Sequence, residues 1–270
     1  MKKYIPVLTI AGSDCSGGAG VQADIKTMSA IGCYAASAIT SITVQNTLGV
    51  TAVQAVLPEI VAGQIRAVMD DIRPKAVKIG MVNDKATIHA IAATLREYSI
   101  DHIVIDPVMV ATSGARLMQD DALDTFRAEL LPLATILTPN IPEAEVLAGM
   151  AIDGTEASAD AAASVILAQG CRALLIKGGH IEGEKVDRLY GYMSGVFRSE
   201  AVATRNTHGT GCTLSSAIAS YLALGRPLTE AVGLAKEYVT EALKAGADVE
   251  IGGGHGPVNH FFNPQTLTKQ

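Results

Sequence analysis

Two glycines and a cysteine stand at the start of a predicted helix, in the segment NTHGTGCTLSSAIASYL of residues 206–222. The first N–H groups of a helix have no partner inside it, and the helix dipole makes them attractive to an anion. The consecutive N–H groups from Gly209 to Cys212 therefore predict a concave anion site. An ordinary loop-to-helix turn, with Cys212 buried as a small apolar residue, fits the local pattern equally well.

A second glycine-rich segment, AGSDCSGGAGVQAD, follows the first predicted strand at residues 11–24. Residues 18–23 match the dinucleotide pattern G-x-G-x-x-A, but that site also needs an acid about 20 positions later for the ribose. No Asp or Glu lies between Asp24 and Glu59, and the chain has no G-x-x-x-x-G-K-[ST] phosphate loop. We expect a glycine-rich turn that delivers Asp14 and Asp24, with helix capping or solvent exposure as the alternative role for Asp14.

The composition argues against several classes of protein. The 270 residues carry a formal net charge of −6, and no run of Lys or Arg is longer than the pair at positions 2 and 3. Nucleic acid is therefore a disfavoured partner. The four cysteines include no C-x-x-C pair, so neither a disulfide framework nor a structural zinc site is indicated. A reducing cytoplasm suits this distribution.

The N-terminal segment MKKYIPVLTIAGSDCS joins two lysines to a short apolar run, as a signal peptide does. Polar residues follow at once without a small-x-small cleavage pattern, and Asp14 directly precedes Cys15. We interpret this segment as a first buried strand. No apolar run approaches the roughly 18 residues that span a bilayer, so we predict a protein without a membrane segment.

Short apolar runs alternate with longer segments of helical period, which is typical of βαβ units and a mainly parallel sheet. The predicted strands are Pro6–Ala11, Ala36–Val44, Ala76–Gly80, His102–Asp106, Ala134–Thr138 and Ala173–Lys177. The predicted helices are Asp84–Tyr98, one that begins at Pro58, Cys212–Leu224 closed by Gly225, and Leu228–Ala245. The residues after Val186 predict a hairpin that turns at Ser194 and Gly195. No linker or repeat divides the chain, so residues 1–270 predict one α/β domain.

Small or polar residues follow almost every predicted parallel strand. They are Gly12-Ser13-Asp14, Gly80-Met81, Asp106-Pro107, Pro139-Asn140 and Gly178-Gly179-His180. Ligands of doubly wound sheets bind beyond the carboxyl ends of the strands, so we expect these loops to line one crevice. The sequence therefore predicts a site built from several loops.

Nine motifs in one order carry a family resemblance. They are LTIAGSDCSGGAG (8–20), QADIKT (22–27), VQNT (44–47), KIGM (78–81), VIDPVM (104–109), TPNIPEAE (138–145), IKGGH (176–180), HGTGCTLSSAIA (208–219) and GPVNH (256–260). The chain resembles the hydroxymethylpyrimidine and phosphomethylpyrimidine kinases of thiamine biosynthesis, which belong to the ribokinase superfamily. The likeness covers nearly the full length and departs at Cys15, where relatives often have Pro or Ser. It implies a ribokinase-like three-layer αβα sandwich with a mainly parallel central sheet.

The resemblance implies phosphoryl transfer from ATP, with Mg²⁺, to 4-amino-5-hydroxymethyl-2-methylpyrimidine and then to its monophosphate. Such transfer depends on positioning and charge neutralisation, which require an anion cradle, a metal, a cation and an aligned nucleophile. Gly209 and Gly211 resemble the catalytic anion cradle, and Thr210 between them is assigned to ATP. Relatives are often homodimers, although no stretch of this sequence identifies an interface.

Four further residues follow the family pattern. Lys177, at a strand end, resembles the residue that meets the ATP phosphates, with a solvated lysine as the alternative. Asn140 on the ATP side and Glu143, in the pattern N-x-x-E, resemble the group that organises Mg²⁺ through water. Asp106 joins Glu143 as a metal candidate, although a turn role beside Pro107 remains open. Magnesium keeps several waters and needs few protein ligands, which suits so small a set.

Cys212 occupies the place where sugar kinases of the superfamily carry an aspartate base. A thiol has a pKa near 8.5, which a helix N-terminus lowers, so we expect Cys212 to act as a partly ionised general base. The second substrate already carries about −1.5 to −2 charges. We hypothesise that a thiol replaces the carboxylate because a fixed negative charge would repel that phosphate.

The acceptor pocket is assigned from hydrogen-bonding capacity and from the resemblance. The Gln45 amide offers donors and an acceptor in one plane, which matches a ring nitrogen beside an exocyclic amine. Asp24 is placed beside the amine by resemblance, Met81 and Val108 are assigned to apolar walls, and Gly12 completes the pocket. Gln45 as a polar residue that ends a strand is the alternative.

Three other functions fit the sequence less well. Pyridoxal or pyridoxine kinases of the same superfamily use similar glycine motifs, but pyridoxine has no exocyclic amine for Gln45 to recognise. A non-catalytic pyrimidine sensor would not need Cys212, Lys177, Asn140 and Glu143, which are all present. A dehydrogenase would need an acidic residue to bind the ribose, and this sequence has none at the required distance.

Overall fold

The computed structural model describes residues 2–110, 117–181 and 184–270. The strands are β1 (Pro6–Ser13), β2 (Tyr34–Asn46), β3 (Gly49–Ala55), β4 (Ala76–Ile79), β5 (His102–Ile105), β6 (Ile136–Leu137), β7 (Ala173–Ile181), β8 (Glu184–Gly191) and β9 (Gly195–Glu200). The helices are α1 (Gly20–Ile31), α2 (Pro58–Asp71), α3 (Lys85–Leu95), α4 (Leu123–Thr125), α5 (Ile141–Ala148), α6 (Glu156–Leu167), α7 (Thr210–Ala223) and α8 (Leu228–Ala245). Short 3₁₀ and π turns at Asp120–Ala122, Phe126–Leu130 and Leu131–Leu133 adjoin α4.

The strands form one nine-stranded sheet in the order β3-β2-β1-β4-β5-β6-β7-β8-β9. Neighbours from β2 to β7 pair in parallel. Strands β3, β8 and β9 pair antiparallel with their neighbours at the two sides of the sheet. Parallel strands need long crossover connections, which the helices supply while covering the sheet faces. The predicted α/β class with a mainly parallel sheet is confirmed.

Two buried apolar clusters lie on opposite faces of this sheet. Leu8 and Ile10 of β1 belong to a cluster that also contains residues of α2, α3, α5 and α6. Val7, which directly precedes Leu8 in the strand, belongs to a second cluster with residues of α1, α7 and α8. Successive side chains of a strand point to opposite faces, so the sheet is covered on both sides. The result is the expected three-layer sandwich.

Helix starts decide where several functional groups stand. Helix α3 begins at Lys85 because the Asp84 carboxylate accepts a hydrogen bond from the Thr87 N–H at 2.9 Å. Helix α7 begins at Thr210, two residues earlier than predicted, after Gly209 turns the chain with a φ of +80°. Such a φ suits glycine alone among ordinary residues. The earlier start puts Cys212 inside the first helical turn.

Strand β3 and helix α6 are among the elements that the sequence pattern did not predict. Strand β3 lies at the sheet edge and is largely exposed, so it lacks the buried apolar run that marks a central strand. Helix α6 reads EASADAAASVIL, in which alanine supplies much of the buried face. A face made of alanine gives only a weak apolar period.

Candidate active site

The carboxyl ends of the parallel strands open into one cleft of about 440 Å³, called here the carboxyl-end cleft. All the predicted site residues except Asp24 line it, namely Gly12, Gln45, Met81, Asp106, Val108, Asn140, Glu143, Lys177, Gly209, Thr210, Gly211 and Cys212. They come from six different strand ends and from the start of α7. The expectation that several loops line one crevice is confirmed.

The start of α7 presents unpaired N–H groups to the cleft. Among the described residues, no acceptor pairs with the N–H groups of Gly211 and Cys212. Gly209 packs so closely on Gly18 that an added Cβ would overlap the Gly18 carbonyl oxygen. The two glycine segments therefore touch, and Gly209 is required by both its φ and its neighbour. This arrangement leaves the first turn of α7 free to receive an anion.

Lys177 and Asp106 form an ion pair beside this turn. The Lys177 Nζ lies 2.8 Å from Asp106 Oδ1, which also accepts a hydrogen bond from the Thr138 hydroxyl at 3.2 Å. Burial alone would lower the pKa of Lys177, but Asp106 and Glu143 raise it above its ordinary value. A Cβ added to Gly211 would lie 3.3 Å from Asp106 Oδ2 and 3.5 Å from Lys177 Nζ. The cation and the N–H groups therefore lie side by side.

Asn140 and Glu143 form a capping box at the start of α5. The Asn140 side chain accepts from the Glu143 N–H at 2.9 Å, and the Glu143 carboxylate accepts from the Asn140 N–H at 2.9 Å. Burial raises the pKa of Glu143 to about 7, and the Lys177 charge acts in the opposite direction. The N-x-x-E pattern thus has a local helix-capping role in addition to its place in the cleft.

Asp106 and Glu143 are two carboxylates of the cleft that could hold a magnesium ion. Both carboxylates line the cleft, and the Asp106 charge contributes to the raised pKa of Glu143. Two oxygen donors whose charges repel each other would be relieved by a divalent cation. No cluster of three or more His, Cys, Asp or Glu side chains suited to a metal occurs in residues 2–110, 117–181 and 184–270.

The expected ionisation of Cys212 is wrong in its direction. Burial raises the pKa of the Cys212 thiol to about 11, although the nearby Lys78 charge and the Gly20 N–H act to lower it. The sequence pattern revealed the helix start but not the depth of burial behind it. The thiol is therefore largely protonated near neutral pH.

The predicted contact of Asp24 with substrate is also wrong. Asp24 is fully buried and pairs with Lys78, whose Nζ lies 2.9 and 2.8 Å from its two carboxylate oxygens. Hydroxyl groups complete the network, with Ser216 donating to Oδ1 and Thr9 donating to Oδ2. These bonds use the carboxylate completely. Asp24 joins α1 to β4, β1 and α7 and has no free face toward the cleft.

Gly12, Met81 and Val108 line the cleft together, as predicted. A Cβ on Gly12 would lie 2.9 Å from the Met81 sulfur and 2.7 Å from the Ser41 hydroxyl oxygen. Gly12 is therefore the residue that lets Met81 pack against β1. The apolar wall depends on this close approach.

His208 and Asp14 are functional candidates that sequence reasoning did not assign. The Gln45 side-chain amide lies 3.3 Å from His208 Nε2, and the same nitrogen lies 2.8 Å from Asp14 Oδ2. Both residues line the cleft and are buried. The signal was present, because His208 directly precedes the glycine turn and Asp14 follows β1.

The N–H groups of the first glycine-rich segment are already bonded to the Asp14 carboxylate of the same segment. Asp14 accepts hydrogen bonds from the N–H groups of Ser16, Gly18 and Ala19 at 2.9, 3.1 and 2.8 Å. Burial alone would raise the pKa of Asp14, but the His208, Ser16 and Ala19 hydrogen bonds lower it to about 2. This loop cannot present those N–H groups to a pyrophosphate, which removes the dinucleotide interpretation.

A second ion pair, also unassigned from sequence, lines the far side of the cleft. Lys236 Nζ lies 2.7 Å from Asp187 Oδ2, and Asp187 Oδ1 accepts from the Gly178 N–H at 2.9 Å. Asp187 therefore holds the chain directly after Lys177. Asp187 belongs to β8 of the predicted hairpin, and Lys236 belongs to α8.

Known proteins match this chain over almost its whole length. The family model described as phosphomethylpyrimidine kinase matches residues 14–259. The hydroxymethylpyrimidine/phosphomethylpyrimidine kinase of Rhizobium meliloti (strain 1021) is 53% identical over 256 residues, which cover 94% of this chain and 96% of that protein. The crystal structure of phosphomethylpyrimidine kinase from Clostridium difficile 630 superposes with a TM-score of 0.79 at 49% identity, covering 88% of this chain and 99% of that one.

A pyridoxal kinase is also similar. The ADP complex of the Bacillus subtilis enzyme superposes with a TM-score of 0.86 at 36% identity, covering 96% of this chain and 98% of that one. These likenesses confirm the ribokinase-like fold and the resemblance drawn from the nine motifs. The chain therefore belongs to the phosphomethylpyrimidine kinase family.

Proposed function

We propose that this chain is an ATP-dependent kinase that phosphorylates 4-amino-5-hydroxymethyl-2-methylpyrimidine and then converts the monophosphate to the diphosphate in thiamine biosynthesis. One observation carries the proposal: the open N–H groups of α7, the Lys177 and Asp106 pair and the Gln45 amide share one cleft. The names of similar proteins supply the substrate class, since the Rhizobium meliloti relative is a hydroxymethylpyrimidine/phosphomethylpyrimidine kinase.

The first turn of α7 serves as the cradle for the transferring phosphoryl group. Its N–H groups at Gly211 and Cys212 lack partners within the described residues, so no internal hydrogen bond has to break when an anion binds. Lys177 adds a fixed positive charge beside them. Phosphoryl transfer needs positioning and charge neutralisation more than covalent help, and these groups supply both. Thr210 and Asn140 belong to the ATP side of the same cleft.

Asp106 and Glu143 would hold Mg²⁺, which supplies charge neutralisation at the phosphates when bound. Lys177 bridges the two functions, because its Nζ already contacts Asp106 and its charge acts on Glu143. The capping box holds the Glu143 carboxylate against the start of α5. Its orientation is therefore set before any ligand arrives.

Cys212 orients the acceptor oxygen and takes its proton in the first phosphorylation. With a pKa of about 11, only a small fraction of the thiol is ionised near neutral pH. The second acceptor is a phosphate oxygen, which needs no base. A neutral thiol also avoids repelling that charged substrate, as a carboxylate would.

Gln45 recognises the ring nitrogen and exocyclic amine, while Gly12, Met81 and Val108 bound the ring. A pyridoxal or pyridoxine kinase is the second candidate function, because the Bacillus subtilis pyridoxal kinase superposes at a TM-score of 0.86. Pyridoxine lacks the exocyclic amine, so a polar site built around that amine disfavours it. A pyrimidine sensor without turnover would have no use for the phosphoryl-transfer groups.

We also propose that the enzyme is a cytoplasmic homodimer with no nucleic-acid partner. All four cysteines are free thiols, and no helix in the described ranges is long and apolar enough to cross a bilayer. The edge hairpin of β2 and β3 exposes Ile42, Val44, Leu48 and Val53, which suits contact with a second copy. Light scattering should give twice the mass of the chain, and Val53→Lys should shift it toward the monomer.

Product analysis tests the function directly. ATP is incubated separately with hydroxymethylpyrimidine, with its monophosphate and with pyridoxal, and products are separated by ion exchange. We expect the monophosphate and diphosphate of the pyrimidine. Formation of pyridoxal phosphate with both pyrimidines unchanged would establish the second candidate, and pyrimidine binding without product would establish the sensor.

A further inference from the structure

We propose that His208 is a positioning residue that fixes the orientation of the Gln45 amide, and that this orientation selects an exocyclic amine on the His208 side of the pocket. The inference rests on the proposed function, because Gln45 is assigned there to the pyrimidine. His208 is not one of the phosphoryl-transfer groups, and its proposed effect is on which substrate ring the pocket binds.

The side chains of Asp14 and Gln45 both contact the same ring nitrogen of His208. His208 Nε2 lies 2.8 Å from Asp14 Oδ2 and 3.3 Å from the amide nitrogen position of Gln45. His208 and Asp14 are both buried, with 8% and 1% of their surfaces exposed. The backbone N–H of His208 donates to the Gly256 carbonyl at 3.0 Å, and the ring packs on Gly18, where an added Cβ would lie 2.5 Å from His208 Cδ2. Its ring has little freedom to turn away.

Asp14 determines which ring nitrogen of His208 carries a hydrogen. An ionised carboxylate can only accept, so the nitrogen facing it at 2.8 Å must bear a hydrogen. The N–H groups of Ser16, Gly18 and Ala19 around the same carboxylate favour its ionised form. His208 Nε2 is therefore a donor, and its single hydrogen is shared between Asp14 Oδ2 at 2.8 Å and the Gln45 amide at 3.3 Å.

The hydrogen inventory then selects one of two amide orientations for Gln45. With its NH₂ group toward His208, two donors would oppose each other at 3.3 Å. Exchanging the amide oxygen and nitrogen keeps the shape and places Oε1 against the histidine donor. The NH₂ group then faces the Thr43 hydroxyl oxygen at 3.2 Å, whose own hydrogen is donated to the Ser13 carbonyl at 2.7 Å. In this arrangement alone, no two donors face each other.

The backbone of Gln45 is fixed independently of its side chain. The Gln45 N–H donates to the Cys15 sulfur at 3.3 Å, and the Cys15 thiol lies 3.0 Å from the Gln45 carbonyl oxygen. The register of β2 against β3 shifts between Val44 and Gln45. The backbone of Gln45 is therefore held in place, whereas its side-chain amide can still rotate. The orientation of that amide is what His208 controls.

The selected orientation places an acceptor at one side of the pocket and a donor at the other. One lone pair of Oε1 remains beside His208, and one N–H of the amide remains beside Thr43. An aminopyrimidine satisfies both when its amine lies toward His208 and its ring nitrogen toward Thr43. A ring without the amine leaves the Oε1 lone pair unpaired, which costs affinity.

The activity test compares two substrates in two variants. The selectivity ratio is kcat/KM for hydroxymethylpyrimidine divided by kcat/KM for its analogue with hydrogen in place of the amine. We expect His208→Met to lower this ratio about tenfold, the loss typical of one unmade hydrogen bond. His208→Gln, whose NH₂ group can donate to both Asp14 and Gln45, should keep the wild-type ratio.

A matched control separates positioning from general damage. His260 is a second buried histidine that contacts Thr213 at 3.1 Å and does not line the cleft. His260→Met should change kcat/KM for both pyrimidines by the same factor. A wild-type selectivity ratio in His208→Met, with both activities reduced together, would overturn the inference.

A measurement without substrate tests the state of His208 separately from the proposed function. In ¹⁵N spectra of the free protein, the imidazole that disappears in His208→Gln should carry hydrogen on Nε2. An unprotonated Nε2 at that residue would overturn the inference even if the enzyme is active. If the wild type phosphorylates neither pyrimidine, the proposed function fails, and these spectra still decide the state of His208.

Discussion

Asp24 and Lys78 form a salt bridge of 2.8 Å in which neither side chain has any exposed surface. Burial alone would lower the pKa of Lys78, but the Asp24 carboxylate beside it raises that pKa above its ordinary value. The pair joins α1 to β4, and the Ser216 hydroxyl ties it to α7 one turn after Cys212. The helix that carries the phosphate cradle is thus anchored to the sheet by a buried charge network.

Removing one partner of this salt bridge should destabilise the fold severely. We expect Asp24→Asn to lower the free energy of unfolding in urea by about 3–5 kcal/mol, because Lys78 would stay buried without its counter-ion. The double variant Asp24→Leu/Lys78→Met should recover most of that loss. Removing the exposed pair of Arg66 and Glu97 is the control and should have little effect. Equal losses in the single and double variants would contradict this account.

The first phosphorylation should accelerate as pH rises. The base form of Cys212 is the thiolate, and with a pKa of about 11 its fraction increases roughly tenfold per pH unit below that value. We therefore expect kcat for hydroxymethylpyrimidine to rise between about pH 6.5 and 8.5, and kcat for the monophosphate to change much less. Quench-flow measurement of each step checks this. Parallel profiles for the two substrates would exclude Cys212 as the base.

Replacing the thiol by a carboxylate should separate the two reactions. In Cys212→Asp, we expect kcat/KM for the monophosphate to fall further than kcat/KM for the hydroxymethyl substrate, because a fixed negative charge repels the phosphate. Cys212→Ser, which is neutral and similar in size, is the matched control. Steady-state kinetics with each substrate measures the difference. Equal losses in the two steps would reject the repulsion hypothesis, whatever the serine variant does.

Gln45→Ala should weaken binding of the pyrimidine and spare that of ATP. The alanine leaves the ring nitrogen and the amine without partners, so we expect the Kd for hydroxymethylpyrimidine to rise about 10- to 100-fold. Isothermal titration calorimetry measures both ligands. Gln64→Ala is a suitable control, because Gln64 bonds the Ile39 backbone on the same strand but does not line the cleft. A uniform loss of ATP and pyrimidine affinity would count against the assignment.

Asp14 should make the fold sensitive to acid. Its pKa is about 2 in the folded protein against 3.8 ordinarily, so its stabilising contribution is complete above about pH 4 and is lost as pH falls toward 2. The difference corresponds to about 2 kcal/mol of unfolding free energy. Asp14→Asn should flatten this part of the pH profile. The exposed Asp124→Asn is the control, and a wild-type profile in Asp14→Asn would be the contrary result.

Sequence periodicity and strand-end composition were sufficient for the architecture and for the position of the cleft. Residues that follow parallel strands share one edge of the sheet, so Asp106, Asn140 and Lys177 could be grouped before any contact was known. The glycine turn was predicted because Gly209 and Gly211 directly precede a segment of helical pattern, whose first N–H groups have no partner inside the helix. Local rules of this kind need only neighbours in the chain.

The partners of buried charged side chains could not be predicted from the sequence. Asp24 looked like a ligand contact until the fold brought Lys78, 54 positions away, to its carboxylate. His208 lies 194 positions from Asp14, and nothing local to either residue encodes their hydrogen bond. The Cys212 thiol stands at a helix start, as its sequence indicated, but burial by distant elements reverses the expected direction of its pKa shift. Backbone conformation is dictated by nearby residues, whereas desolvation and long-range pairing depend on packing, which only the tertiary structure decides.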